Sequence, residues 1–393
     1  MIEQITDNLL MFHEIKWEQK LFEGEIPLNQ GMSYNSYLFL DDKTCLLDTA
    51  AKEVNVEFLR DLDSSLKERS LDYLVIHHLE PDHTSGIVDV IKKYPQVEVF
   101  ISMMGLTLFK NFFPQLTDVN FHIIKEGDEL NLGHHTLQFI EAPMVHWPEV
   151  MMSYEKVTHS LFSADAFGSF VTSHQAYEVN CQDKKYSLDE TRRYYANIIS
   201  KYGFNVSNVL QKIRPLQIDR ILSLHGQVHE DDIKEMMNYY EKWSHYQPEQ
   251  EGVLILYATI YGHTEKAALY LFNELKKNKI AVACSSLNLT DVSYALSETF
   301  IYSKIILLSP TFNTGLYPKM ENYLRMLQDH NLQNRKFYLV ENGSWAPQAK
   351  GLMTKMIQQL KNCQISDLSL TIKSSLKDSD YPLLDAIVNE IRD

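Results

Sequence analysis

Four side chains able to hold a metal ion stand within six residues, in the stretch His78-Leu79-Glu80-Pro81-Asp82-His83. A lone histidine on a strand is ordinarily a satisfied core or surface residue. Four ligand-type groups at this spacing, closing a β-rich run over Leu71–His78, form a denser grouping than that. The plain alternative is a solvated acidic turn with a helix N-cap near Thr84 or Ser85. Three later positions strengthen the metal reading. His146 lies in Pro143-Met144-Val145-His146-Trp147-Pro148, Asp165 in Phe162-Ser163-Ala164-Asp165-Ala166-Phe167-Gly168, and His225 follows the apolar run Ile221–Leu224. Each stands where a strand gives way to a loop, so residues far apart in sequence can converge at one end of a sandwich.

A second group of residues has the chemistry of a phosphate cradle. After the apolar run Gly252–Ala258 comes Thr259-Ile260-Tyr261-Gly262-His263-Thr264, leading into a helix. Hydroxyls, a close-approaching glycine and free N–H groups at a helix start together suit an anion. The segment is neither a Walker loop nor a G-x-G-x-x-G fingerprint. Ser309-Pro310-Thr311-Phe312-Asn313-Thr314-Gly315 follows a third predicted strand and Asn342-Gly343-Ser344-Trp345-Ala346 a fourth. In a parallel sheet all three loops fall at the carboxyl edge, around the topological switch point where ligands bind.

The elements that must position these groups follow two rhythms. Up to about Tyr246, strands mix irregularly with helices. A hairpin is predicted over Tyr37–Leu40 and Thr44–Asp48, with further strands at Leu71–His78, Val97–Ser102, Phe121–Lys125, Thr136–Glu141, Val150–Tyr154, Ser160–Ser163 and Asp219–Leu224. That pattern suits a layered αββα domain. From Gly252, five strand–helix units follow in regular alternation, the pattern of a doubly wound parallel sheet. Ala268, Leu271, Phe272 and Leu275 form one apolar stripe on the first of its helices. The polar join Ser244–Glu251 divides the chain into 1–250 and 251–393.

At 393 residues the chain has room for two cores. Its 37 basic against 52 acidic residues, a formal net charge of −15, argue against a nucleic-acid partner. Its apolar runs are far shorter than the ~20 residues of a membrane span, so no membrane residence is expected. Met1-Ile2-Glu3-Gln4 lacks the basic start of a signal peptide. The four cysteines, Cys45, Cys181, Cys284 and Cys363, form no C-x-x-C pair. That excludes a Cys-ligated rubredoxin module within the chain and fits a reducing cytoplasm.

The pattern H-x-E-x-D-H, then 62 residues to His146, 18 to Asp165 and 59 to His225, resembles that of the flavodiiron proteins, or A-type flavoproteins. The resemblance covers essentially the whole chain. It implies an N-terminal αββα sandwich of the metallo-β-lactamase type and a C-terminal flavodoxin-like domain. Zinc hydrolases of the first fold carry H-x-H-x-D-H, and here Glu80 replaces the middle histidine. Four imidazoles mixed with three carboxylates suit redox-active iron in an open site. By resemblance one iron takes His78, Glu80 and His146, the other Asp82, His83 and His225, and Asp165 bridges; His83 is the least secure, and His77 is a neighbour. The flavodoxin-like part implies FMN, with its phosphate on Thr259–Thr264 and its ring between Ser309–Gly315 and Asn342–Ala346, where Trp345 stacks. His263 stands where Asn is usual, and Ala346-Pro347 where a Gly-rich segment is usual.

The implied activity is reduction of O2 to water, of NO to N2O, or of both. Its electrons would come from an external donor such as rubredoxin or a rubredoxin-like reductase, in a head-to-tail homodimer or a dimer of dimers. Residues Phe22–Gln30 are expected near the pocket, with Glu23 and Glu25 as solvated loop residues. The alternatives are a zinc-dependent hydrolase with a flavodoxin-like regulatory domain, and a plain electron carrier whose front domain is structural.

Overall fold

Strand Met32–Leu40 is buried on both faces, and its pleat sends Tyr37 and Phe39 to one of them. The computed structural model, which describes residues 1–174 and 184–393, uses that face to build the first of two cores. Cys181 lies outside the described residues. The chain divides into two compact units, Met1–Tyr195 with Phe204–Tyr240, and Glu241–Asp393 with Ala196–Gly203.

The first unit holds a small two-stranded sheet, Leu21–Phe22 with Ile26–Pro27, and two large ones. One runs in chain order through β1 (Ile2–Thr6), β2 (Leu9–Lys16), β3 (Met32–Leu40), β4 (Thr44–Leu47), β5 (Tyr73–Val75), β6 (Glu98–Ser102) and β7 (Asn120–Ile124). It is antiparallel as far as β4 and parallel from there on. The other is β8 (Glu129–Asn131), β9 (Thr136–Glu141), β10 (Met151–Glu155), β11 (Ser160–Phe162) and β12 (Arg220–Leu222), antiparallel except for its last pair. Tyr37, Phe39, Leu47 and Val75 of the first sheet share a core with Leu137, Phe139, Met151, Phe162 and Leu222 of the second. Each such side chain contributes roughly 1.5–3 kcal/mol by leaving water. Helix Asn55–Leu66 buries Phe58 and Leu62 and lays Phe58 edge-on against Phe12 of β2.

One predicted strand is shorter than expected, and the shortening builds the site. The extended run Leu71–His78 keeps only Tyr73–Val75 in the ladder. Beyond it the backbone N–H groups of His77 and His78 both donate to Asp48 Oδ1, at 2.8 and 3.3 Å. A carboxylate from the end of β4 thus satisfies the donors that a neighbouring strand would have taken. The chain is released into the ligand loop, and Pro81 then starts the short helix Pro81–Thr84 with Glu80 at its N-cap.

The second unit is a parallel sheet of β13 (Gln250–Tyr257), β14 (Val282–Ser286), β15 (Tyr302–Phe312), β16 (Lys336–Asn342) and β17 (Gln364–Ile372), in the order β14-β13-β15-β16-β17. Helices His263–Lys277, Val292–Ile301, Pro318–Asp329, Ala349–Ile357 and Tyr381–Arg392 connect and cover it. The predicted stripe holds for Ala268, Leu271 and Leu275, which are fully buried against β13 and β15, with Phe272 at its edge. The segment Glu241–Gln250 belongs to this unit: Trp243 and Tyr246 are buried, and the Tyr246 carbonyl accepts from Arg335 at 2.6 Å.

Candidate metal centre and cofactor cleft

Four imidazoles turn their Nε2 atoms toward three carboxylates at one end of the first unit. His78 Nε2 stands 3.2 Å from Glu80 Oε2 and 3.4 Å from Asp165 Oδ2. His146 Nε2 is 3.2 Å from Glu80 Oε2 and 3.0 Å from Asp165 Oδ2. On the other side, His83 Nε2 lies 3.2 Å from Asp165 Oδ1, and His225 Nε2 lies 3.3 Å from Asp82 Oδ2. Ligand atoms of His78, Glu80, His146 and Asp165 form one group within 4.8 Å of one another, and those of Asp82, His83 and His225 form a second. Asp165 faces both groups, Oδ2 to the first and Oδ1 to the second.

The donor set fits cations. His78 Nδ1 lies 2.9 Å from Glu149 Oε1 and His225 Nδ1 lies 2.8 Å from the Ser33 carbonyl. Protons held there leave bare Nε2 lone pairs facing carboxylate oxygens, which repel unless a positive charge sits between them. Asp82 Oδ1, Asp165 Oδ1 and His83 Nδ1 are buried with no hydrogen-bond partner among the described residues. Such groups are costly unless something binds them.

Without metal, protons take up part of that charge. Burial alone would lower the His146 pKa, but hydrogen bonds to Asp165 and Glu80 outweigh it and raise it to about 9. Burial likewise opposes the charged form of His78, yet the Asp165 charge carries it well above its usual range. Asp165, against its own burial, is held well below the carboxylate range by His83 and His78. A raised histidine pKa stabilises the fold fully below its unfolded value near 6.5, and the contribution fades as pH rises through the folded value. Metal-free protein is therefore expected to lose melting temperature between pH 7 and 10, and His146→Gln to flatten that loss. Thermal unfolding across the range in chelator checks it.

In the second unit, Thr259, Ile260, Tyr261, His263, Thr264, Pro310, Thr311, Phe312, Asn313, Asn342, Gly343, Ser344, Trp345 and Ala346 line one cleft of about 500 Å³, joined by Thr314 and Ser374. Gly262 does not line it. With a φ of +82° it turns the chain into helix His263–Lys277, and its N–H donates to Thr259 Oγ1 at 3.0 Å. Ser309 is buried, its hydroxyl donating to the Pro310 carbonyl, and Gly315 also stays off the lining. The Thr311 hydroxyl oxygen accepts from the backbone of Gln348 and Ala349 and so serves the start of the next helix. A side chain on Gly343 would meet Pro347 at 2.8 Å. Tyr261 and Trp345 are 88% and 89% exposed. Aromatic faces left in solvent beside an apolar cleft, with hydroxyls at a helix start, fit a planar ring carrying a phosphate.

A family profile described as ODP family beta lactamase matches residues 32–226. A nitric oxide reductase of Moorella thermoacetica is 27% identical over 94% of this chain and 92% of its own. The rubredoxin oxygen:oxidoreductase of Desulfovibrio gigas superposes with a TM-score of 0.93 at 24% identity, covering 100% of this chain and 98% of that one. The flavodiiron protein of Giardia intestinalis superposes with a TM-score of 0.92 at 21% identity, over 100% and 95%. Along nearly its whole length the chain is thus similar to a nitric oxide reductase in sequence and to flavodiiron structures in fold. The αββα sandwich and the flavodoxin-like sheet read from the sequence are the folds observed.

Three features beside the predicted ligands bear on the site. Glu23 is not an ordinary loop glutamate. Exposed as a loop residue is expected to be, it nevertheless borders a cleft of about 370 Å³ with Glu80, Asp82, Phe22 and Tyr34, where desolvation on the cleft side and the Glu80 charge push its carboxyl up to about 7. Tyr194 is fully buried beside the His225 ring, its hydroxyl without a hydrogen-bond partner among the described residues. No local motif marks it. His77 uses both ring nitrogens elsewhere, 2.6 Å from Asp48 Oδ2 and 2.9 Å from Ser153 Oγ. These three form a Ser-His-Asp row, but Ser153 is wholly buried, so no substrate reaches it.

Proposed function

We propose that this chain is a flavodiiron reductase, converting O2 to water, NO to N2O, or both, with electrons passed through FMN to a diiron site. The observation that carries this reading is Asp165, whose two oxygens face two separate ligand groups. When bound, FMN would supply two electrons and the pair of irons two more, four for O2 to become two waters and more than the two that two NO molecules need to become N2O. The named activities of the Moorella and Desulfovibrio proteins support a reductase over the zinc-hydrolase alternative. So does Glu80 at the position where the hydrolases have histidine.

In this reading His78, Glu80 and His146 hold one iron, Asp82, His83 and His225 the other, and Asp165 bridges. The chain's own contribution is placement and exclusion of water. Phe22 and Tyr34 set their rings edge-on to the His225 ring at 5.4 and 5.5 Å, shielding that flank. Residues 1–250 are assigned the iron chemistry and 251–393 the flavin. The Thr259–Thr264 turn takes the phosphate, and Asn313, Asn342 and Trp345 take the ring. A rubredoxin-type donor, a head-to-tail homodimer or dimer of dimers, and a cytoplasmic location complete the proposal. Among the described residues no helix is long and apolar enough to cross a membrane.

The test is elemental analysis of anaerobically prepared protein, followed by turnover with O2 and NO separately. About two irons and one FMN per chain are expected, with gas consumption driven by reduced rubredoxin. Stoichiometric zinc with hydrolytic turnover would overturn the reading.

A further inference from the structure

The two proposed iron positions differ in what stands behind their histidines. Behind His78 lies the carboxylate of Glu149, 3% exposed, with Oε1 at 2.9 Å from both His78 Nδ1 and the backbone N–H of Leu79. Glu149 is itself held in place, since the Ser102 hydroxyl donates to its carbonyl at 3.0 Å. Behind His225 lies only the neutral carbonyl of Ser33. Behind His83 nothing stands, for its Nδ1 is buried without a hydrogen-bond partner among the described residues. A carboxylate accepting Nδ1–H fixes the tautomer that offers Nε2, locks the ring orientation and strengthens the donor nitrogen. A neutral carbonyl does the first two and less of the third.

We propose that Glu149 is a positioning residue for the iron held by His78, Glu80 and His146, and that it makes this position the tighter of the two. The inference rests on the diiron reading. It goes beyond it by ranking the two positions and naming the residue that sets the rank. Its sequence signal is slight, because Glu149 follows His146 by only three residues but acts on His78, 71 residues upstream.

The experiment is an anaerobic Fe(II) titration of metal-free, full-length protein against a competing chelator, comparing wild type with Glu149→Gln. The amide keeps the size and an acceptor oxygen but removes the charge. Wild type is measured first: absence of iron binding there defeats the diiron reading itself, before any variant is compared. With two irons bound by wild type, Glu149→Gln is expected to weaken the tighter step by about 10–100-fold and to leave the weaker step within about twofold. In Mössbauer spectra of 57Fe-loaded protein only one of the two diferrous signals should move. Wild-type affinity at both steps would overturn the proposal. Equal weakening of both steps with a lowered metal-free melting temperature would overturn it too, by showing a merely structural role. Should Glu149→Gln fail to fold, Glu149→Asp decides. It keeps the charge on a shorter arm and is expected to weaken the same step by about threefold or more, and unchanged steps in it would also overturn the proposal.

Discussion

Asp165→Ala is expected to lower gas reduction by about a thousandfold, roughly 4 kcal/mol of barrier at 1.4 kcal/mol per factor of ten, while the flavin absorbance stays intact. The size follows from position. Asp165 is fully buried, and its two oxygens stand 3.0–3.4 Å from the Nε2 atoms of His146, His83 and His78. Among the described residues, removing it deletes the one carboxylate that faces both ligand sets, leaving Glu80 alone to balance His78 Nε2 and His146 Nε2. The cost to the metal-free fold is limited by the histidines releasing their protons. The cost to metal binding has no such escape, because no other described carboxylate faces both groups. Asp165→Asn separates the two contributions. It restores size and one acceptor oxygen without the charge, so recovered folding with activity still about a hundredfold down would assign the loss to charge. Iron content, flavin content and turnover on the same preparations give the answer; a variant that holds two irons and turns over normally would remove Asp165 from the bridging role.

What the sequence made legible depended on distance along the chain. The six residues from His78 to His83 could be read as a ligand group because their types are concentrated, and the second-unit loops because a parallel sheet sends every strand end to one edge. The partners that orient those ligands could not be read. Asp48 reaches His77 and His78 across 29 and 30 residues, Glu149 reaches His78 across 71, and Ser33 reaches His225 across 192. Only the register of the sheets brings them together. The same limit explains Ser374, which follows the last strand and joins the cofactor cleft without any motif. β1 and β2 went unread for another reason. β2 carries His13, Glu14 and Lys16 among its apolar residues, and its buried His13 and Glu14 break the alternation that marks a half-buried strand. His13 is tolerated there because Asn35 answers its Nδ1 at 2.7 Å. Glu23 is the exposed loop residue expected, but the Glu80 charge that raises its carboxyl is brought beside it only by the fold.

A mixed dimer built from two inactive subunits is expected to recover about half of the wild-type rate, and this is the strongest test of how the two cofactors are proposed to communicate. Each chain carries one seven-ligand group and one cofactor cleft, in separate compact units. Two-fold dimers are the commonest oligomers, and a two-fold arrangement that sets each flavin against its partner's irons creates two equivalent electron paths at once. One subunit would lose iron through Asp165→Ala with His146→Ala. The other would lose flavin through Thr259→Ala, Thr264→Val and Asn313→Ala, which remove two hydroxyls and one amide from the cleft, among them the Thr259 oxygen that accepts from the Gly262 N–H, while leaving the sheet core in place. Each homodimer is expected to be inactive, for lack of iron in one case and of flavin in the other. In the mixed dimer the intact flavin of the first subunit faces the intact ligand set of the second, so one complete path exists where wild type has two. Differently tagged subunits, purified in tandem and assayed for iron, FMN and turnover, make the comparison. A mixed dimer that holds its expected one flavin and one iron pair yet stays inactive means that electrons travel within a single chain, and the head-to-tail arrangement is then wrong.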